Sequence, residues 1–391
     1  MTKLYLIIMQ KTNQTLCSKA WTDVNIAFGT KKLRHCCKST YELFPDKLTS
    51  DFFNNSIAIQ QRRNDLLNGI ENSQCEYCWD SREKTGTSYR DHRNTWRSPS
   101  DVSENIEVIE IMLDNLCDMS CIYCDEGSSH KIAQEKNLEH HVQRPSEENY
   151  AAFLDWLSTL DYEYTLSFLG GELTYSKNFY YFLSLLASDQ RFNQRKIYLA
   201  LMTNGNTTNS QLDKFIELYD RLPDKWELYI VFSNEAIETQ SELVRWGLDW
   251  DRYQTNMERY LSYNRVSTIG LCPTVSLFTM TGIVDYLHWS FEIIRKHNKK
   301  VCITGNWVND GILHPGHSKR IEVIPILREL VYLNQDLFYS DKWYTECQTW
   351  INQLEIVLGT KTYTDRELND FLQTMAKQKQ SDKIFNLTKY L

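Results

Sequence analysis

Glycine and proline are scarce in this chain, 14 and 7 of 391 residues, which excludes a collagen-like or low-complexity sequence. No run approaches the roughly 20 apolar residues of a membrane span. Met1 to Met9 is apolar but short, reads as a strand and lacks a small-residue cleavage site, so no secretory signal is visible. There is no P-loop and no Rossmann glycine fingerprint. The nine histidines show no zinc-hydrolase spacing, and His140-His141 read as solvated loop residues. Positive charge is not in excess either, since 43 Lys and Arg stand against 51 Asp and Glu for a net charge of −8. That balance argues against broad nucleic-acid binding, which relies on clustered cations. One basic stretch, Lys31-Lys32-Leu33-Arg34-His35, reads as a solvated hairpin; the other reading is attraction of an acidic peptide, a tRNA or a redox partner such as flavodoxin.

What the chain does have is cysteine, 11 residues, with 42% hydrophobic and 13% aromatic content that mark a folded protein. Cysteines without a signal suggest a reducing compartment, the cytoplasm, and metal ligation rather than disulfides. Three of them lie in Leu116-Cys117-Asp118-Met119-Ser120-Cys121-Ile122-Tyr123-Cys124. Zinc sites and all-thiolate cubanes usually take four protein ligands. Three thiolates on one short loop can instead hold three irons of a four-iron cluster and leave the fourth open.

The surroundings repeat one pattern. Glu107 to Met112 alternates as a strand does and leads into the cysteine loop. A helix is expected after Pro145-Ser146-Glu147-Glu148, with Ser146 as cap and the acids at the positive end of the helix dipole. Tyr164 to Leu169 reads as the next strand and runs into Gly170-Gly171-Glu172, where glycines admit close backbone approach and a carboxylate can bind an ammonium. Lys196 to Met202 precedes Thr203-Asn204-Gly205-Asn206, and Glu227 to Phe232 precedes Ser233-Asn234-Glu235. Val266 to Leu277 and Lys300 to Ile303 follow, the latter leading to Gly305-Asn306-Trp307. Polar residues after apolar strands, with amphipathic stretches between, predict an α/β fold with ligand loops at the carboxyl edge of a parallel sheet.

The unequal cysteine spacing with Tyr123 before the last thiol, followed one βα unit later by Gly-Gly-Glu, resembles the radical S-adenosylmethionine (SAM) enzymes. Leu173 stands where that family usually has proline. The resemblance implies a partial (β/α)6 barrel over residues 101–317, with Cys117, Cys121 and Cys124 on a 4Fe-4S cluster. It implies that Gly170, Gly171 and Glu172 meet the SAM amino group and that Thr203 and Asn204 lie near the SAM pocket. Ser233 and Glu235 would contact the ribose and methionine ends. Arg245 would either pair with the SAM carboxylate or stand on a surface helix. Asn306 and Trp307 would line the adenine side, or the tryptophan would be core. The implied chemistry is reductive cleavage of SAM to methionine and a 5′-deoxyadenosyl radical that abstracts hydrogen, with an electron donor such as flavodoxin or ferredoxin.

A second cysteine group precedes the barrel. Cys17, a glycine turn at Gly29, the pair Cys36-Cys37, and Cys75-Glu76-Tyr77-Cys78-Trp79 resemble the SPASM or twitch extensions that carry auxiliary clusters in this family, here placed at residues 1–100. The tail from Cys75 to Arg90 and the ending Thr364-Asp365-Arg366-Glu367-Leu368-Asn369 add to the likeness. Cys17, Cys36, Cys75 and Cys78 are the expected ligands of an auxiliary 4Fe-4S cluster, with zinc as the alternative metal and Cys37 as the alternative to Cys36. Cys272, Cys302 and Cys347 read as buried small hydrophobes. Cys272, in Leu271-Cys272-Pro273-Thr274, could face the barrel interior. Residues 318–391 are expected to form four helices outside the barrel. The resemblance makes a peptide or protein the first substrate expectation and a small molecule or nucleoside the second; a metal-stabilised binding protein without turnover belongs to a different class.

Overall fold

The computed structural model describes residues 15–45, 47–85, 88–93, 98–103, 105–138, 146–309 and 311–391. The expected strand at Met1 to Met9 and the His140-His141 loop lie outside the described residues.

Strands of alternating burial build the centre. β1 (Asp23–Ala27), β2 (Lys32–Arg34), β3 (Glu42–Leu43), β4 (Val108–Met112), β5 (Tyr164–Leu169), β6 (Ile197–Thr203), β7 (Glu227–Phe232), β8 (Val266–Leu271) and β10 (Lys300–Ile303) form one sheet in the order β10-β8-β7-β6-β5-β4-β1-β2-β3. A separate pair joins β9 (Thr274–Val275) to β11 (Asn306–Trp307). From β4 to β10 the neighbours are parallel and follow chain order. β1 pairs in parallel with the outer side of β4, while β2 and β3 turn back antiparallel.

Helices fill the crossovers. α1 (Ile57–Leu67) and α2 (Glu76–Thr85) belong to the amino-terminal region. α3 (His130–Glu135) and α4 (Glu147–Leu157) connect β4 to β5; α5 (Lys177–Ser188) and α6 (Asn209–Asp220) serve the next two steps. α7 (Glu238–Val244) and α8 (Trp250–Ser262) lead to β8, and α9 (Gly282–Lys296) leads to β10. Phe179, Phe182, Leu183 and Leu186 recur at one-face spacing on α5 and are buried. Phe179 and Phe182 meet Phe168 of β5 with ring centroids 5.5 and 5.7 Å apart. The opposite face of β5 carries Thr165, Ser167 and Leu169, all half-buried. Ser146 occupies the cap position of α4, but its side chain makes no capping bond; Glu147 and Glu148 supply the first-turn charge.

The carboxyl-terminal region has three α-helices where four were expected: α10 (Val323–Leu333), α11 (Asp341–Val357) and α12 (Asp365–Lys379), then a 3-10 segment from Asp382 to Tyr390. α12 and the 3-10 segment bury Leu368, Leu372, Ile384 and Leu387 against Ile122, Val244 and Phe278. The end of the chain thus packs beside the cysteine loop. No helix among the described residues is long and apolar enough to cross a membrane.

Candidate active site and a second thiol cluster

The cysteine loop leaves the carboxyl end of β4 and is held from four directions. The Ser120 and Ile122 amides donate to the Trp246 and Val244 carbonyls at 2.9 Å each, which fixes the loop to the end of α7. The Cys117 amide donates to His130 Nδ1 at 3.0 Å. Ser129 Oγ donates to the Met119 carbonyl and Lys131 Nζ to that of Asp118. The fourth hold is the end of β5. Gly170 has φ +97°, and a Cβ there would stand 2.8 Å from the Asp114 carbonyl oxygen; at Gly171 it would stand 2.1 Å from the Leu116 oxygen. The two glycines therefore give the closest approach to the protein's own loop, sealed by the Glu172 amide donating to Leu116 O at 2.6 Å.

Cys117 and Cys121 are buried and Cys124 is exposed. The Cys121 and Cys124 thiols share a hydrogen bond that raises the pKa of Cys121 and lowers that of Cys124, and the Arg245 guanidinium favours the thiolate at both. Burial holds Cys117 up.

Glu172 is buried, and its Oε1 accepts from the Thr174 amide, Thr174 Oγ1 and Thr203 Oγ1, while Oε2 accepts from the Asn204 amide at 2.7 Å. Burial, then the nearby Asp118, push its carboxyl up to about 7 despite these donors. Four donors nearly fill a carboxylate, so Glu172 braces the ends of β5 and β6 and keeps one free acceptor direction on Oε2. Asn204 and Asn206 also grip Asp118, each through Nδ2 at 2.8 Å.

Arg245 is a buried cation facing the loop. Its Nη2 donates to Glu235 Oε2 at 2.6 Å and to Ser233 Oγ at 3.3 Å, and Glu235 Oε1 accepts from Tyr123 Oη at 2.6 Å. The guanidinium lies 5.5 Å from the Tyr123 ring centroid. Its Nε is buried with no hydrogen-bond partner. The expected residues Tyr123, Ser233, Glu235 and Arg245 thus form one network; Arg245 is not on a surface helix. Cys272 is buried at the end of β8 and accepts from Asn306 Nδ2 at 3.3 Å, while Asn306 itself is exposed and Trp307 half-buried.

The second thiol group stands at the other end of the β1–β4 pair, because Cys17 precedes β1 and Cys36 follows the antiparallel β2. One β1 length, about 16 Å for five residues, separates the two ends. Cys17, Cys36, Cys75 and Cys78 line a cavity of about 20 Å³ together with His35, Trp79, Tyr89 and Arg90. Cys36 has φ +103°, a left-handed backbone unusual for a side-chain-bearing residue. Cys37 is not among the lining residues; it contacts Tyr89 Oη at 3.4 Å and raises the Glu110 carboxyl electrostatically. A hydrogen bond with Cys36, then, against burial, one with Tyr89 and the charge of Lys38, lower Cys37 to about 6, while burial pushes Cys17 up to about 12.

Among the described residues no three His, Cys, Asp or Glu side chains stand together as a metal-ion site. The four amino-terminal thiols line one cavity. Three groups around them were not anticipated. His35 is fully buried, and burial, then Arg62 and Arg63, push its pKa well below the ordinary value against a hydrogen bond with the Phe53 backbone; Arg62 leaves Nε and Nη2 unpartnered, and Arg90 leaves Nε unpartnered. Arg62 did leave a signal: Ile59, Arg62, Arg63 and Leu66 are the buried positions of α1, so arginines occupy core register. Asp118 and Asn206 lie within the two motifs, but nothing local in the sequence shows that they meet.

No family model matches the sequence, and no curated protein matches it. Among solved structures the chain is similar to one described as "Structure of TYW1 with a lysine-pyruvate adduct bound", at 12% identity and a TM-score of 0.31, over 61% of this chain and 76% of that one. A likeness of that size carries no inference about chemistry.

Proposed function

We propose that this protein is a radical SAM enzyme with a partial (β/α)6 barrel, and that the amino-terminal thiol group holds an auxiliary metal centre. The carrying observation is the cysteine loop itself. Three thiols with unequal spacing stand at the carboxyl edge of six successive parallel strands, braced by Gly170, Gly171 and Glu172. That edge is where ligands bind in parallel α/β sheets.

Cys117, Cys121 and Cys124 would hold the cluster, and the donor set fits. Three thiols lie on one loop, Arg245 favours the thiolates of Cys121 and Cys124, and the unpartnered Nε of Arg245 suits a carboxylate beside them. When bound, the cluster and SAM supply reductive cleavage of the SAM carbon–sulfur bond. The chain's own part is positional. Glu235 neutralises Arg245 and orients it, and Tyr123 fixes Glu235 from the loop. Glu172 and Asn204 hold the β5 and β6 ends in register, leaving the free direction of Oε2 for an ammonium. Asn306 and the buried Cys272 stand at the ends of β11 and β8 nearest this network.

A peptide or protein substrate, a reducing cytoplasmic setting and a flavodoxin- or ferredoxin-type donor complete the proposal; these rest on the resemblance of the cysteine motifs. Anaerobic reconstitution with iron and sulfide, dithionite reduction and assay for 5′-deoxyadenosine test it, with Cys117→Ala, Cys121→Ala, Cys124→Ala as control. The expected result is about eight irons and SAM cleavage in the parent, against about four irons and no cleavage in the triple variant. No SAM binding by the reconstituted protein would leave a metal-stabilised binding protein instead.

A further inference from the structure

We infer that Arg62 and Arg90 form a cationic, hydrogen-bond-donating layer beside an anionic metal–sulfur group held by Cys17, Cys36, Cys75 and Cys78, and that this layer raises the group's reduction potential. The inference rests on the auxiliary-centre part of the proposed function and concerns what the centre is built to do.

A fully buried guanidinium without partners is expensive to keep, because desolvation is not repaid. Arg62 is 1% exposed and leaves two N–H donors unused. Among the described residues no carboxylate is hydrogen-bonded or ion-paired to it, although Glu42 acts on it electrostatically. The thiols do act on it electrostatically: Cys75, Cys36 and Cys17, in that order, favour its charged form. His35 is 0% exposed and lines the thiol cavity, but burial disfavours its charged form, so it adds no charge to the layer. Arg90 lines the cavity too; it donates to the Leu16 carbonyl through Nη1 and to Asp91 Oδ1 through Nη2 at 3.5 Å, but its Nε has no partner. Two guanidiniums with unused donors, Arg90 lining the four-thiol cavity and Arg62 acted on electrostatically by three of its thiols, are what an anion with several acceptor sulfurs would satisfy. Four thiolates on a divalent ion or on a cubane carry net negative charge, so the layer compensates the site.

The consequence for reduction follows from charge. An added electron makes the group more negative, and fixed positive charges nearby stabilise that state more than the oxidised one. Hydrogen bonds to the sulfurs act in the same sense, and burial keeps both effects from being screened. Four thiols also close the coordination, and the cavity lies at the opposite end of β1 and β4 from the cysteine loop. This placement suits a group that takes up an electron rather than one that binds substrate.

The test uses the full-length Cys117→Ala, Cys121→Ala, Cys124→Ala chain, in which only the amino-terminal centre remains. It is reconstituted with iron and sulfide, its metals are counted, and its reduction is followed by electron paramagnetic resonance against potential. About four irons per chain are expected. Arg62→Met should keep the iron and move the midpoint to more negative potential, and Arg62→Lys should fall between it and the parent. If Arg62→Met folds but loses iron while Arg62→Lys keeps it, the charge requirement is upheld. An unchanged midpoint in Arg62→Met overturns the inference. So does iron loss in both variants, or a centre that takes up zinc or nothing. SAM cleavage by the unmodified enzyme is read separately, so this layer can fail while the radical SAM assignment stands, and the reverse.

Discussion

Gly171 has a hydrogen where any other residue would place a carbon against the Leu116 carbonyl oxygen, 2.1 Å away. That oxygen is also the acceptor of the Glu172 amide, so the crowding falls on the bond that joins strand end to cysteine loop. Gly171→Ala should therefore displace the loop rather than merely strain one side chain. We expect a loss of about 1–3 kcal/mol of stability and weaker iron loading at Cys117. Unfolding curves and iron counts on reconstituted protein check both, and wild-type loading in the variant would sink the bracing role.

Glu110, on the half-buried face of β4, makes the same scale visible through pH. Burial, then Cys37 and Asp23, push its carboxyl up to about 7 from an ordinary 4.5, against the pull of Arg34 and Lys19. Between those values the folded protein binds a proton that the unfolded chain has released. Glu110's contribution is thus fully present below about pH 4.5 and is lost as pH rises through 7. Glu110→Gln should flatten that fall and exceed the parent's stability by roughly 1–3 kcal/mol above pH 7. Denaturant melts at pH 5 and pH 8 give the comparison. Neither residue's situation was legible beforehand. The Gly-Gly-Glu run announced a tight approach, but not that the partner was residue 116, and Glu110 sat unremarked in an alternating strand.

Among elements, α12 carries a tie that links the end of the chain to the candidate site. Thr364 and Glu367 cap the helix reciprocally at its start. At its far end Lys379 Nζ donates to Glu135 Oε2 at 2.8 Å, and Gln378 reaches the same oxygen. Glu135 Oε1 in turn accepts from Ser120 Oγ of the cysteine loop at 2.7 Å. The Lys379 side chain is buried, so its removal leaves Glu135 short of a cation in a poorly solvated place. Lys379→Met should cost about 1–3 kcal/mol and speed hydrogen exchange at the Ser120 and Ile122 amides, which bond to the end of α7. Unchanged exchange there would show that α12 supports the fold without steadying the loop. The elements themselves were readable from their periodicities: β5 and β7 begin and end where alternation begins and ends. Their long-range ties were not, because Glu135 and Lys379 are 244 residues apart and carry no mark of each other.

The whole molecule differs from a chain of modules in one respect, the position of β1. A hairpin of β1 and β2 was anticipated around Gly29, but hydrophobic pattern alone does not say which sheet a short strand joins. β1 lies against β4 over five residue pairs, from Asp23 with Val108 to Ala27 with Met112. Behind it Phe28 packs on Tyr150 and Phe153 of α4, with centroids 4.9 and 5.3 Å away. Val24, Ile26, Phe44 and Phe53 share one core with Ile109, Ile111 and Trp156. The cysteine-rich region therefore covers an edge that β4 would otherwise present as unpaired backbone. Calorimetry of the full chain should give a single transition whose calorimetric and van't Hoff enthalpies agree. A fragment of residues 105–391 should fail to fold cooperatively, because it exposes that edge and the apolar residues behind it. Two resolved transitions, or a fragment that melts cooperatively, would show instead that the parallel strands hold together without β1 and that the amino-terminal thiol centre can be lost without consequence for the cysteine loop.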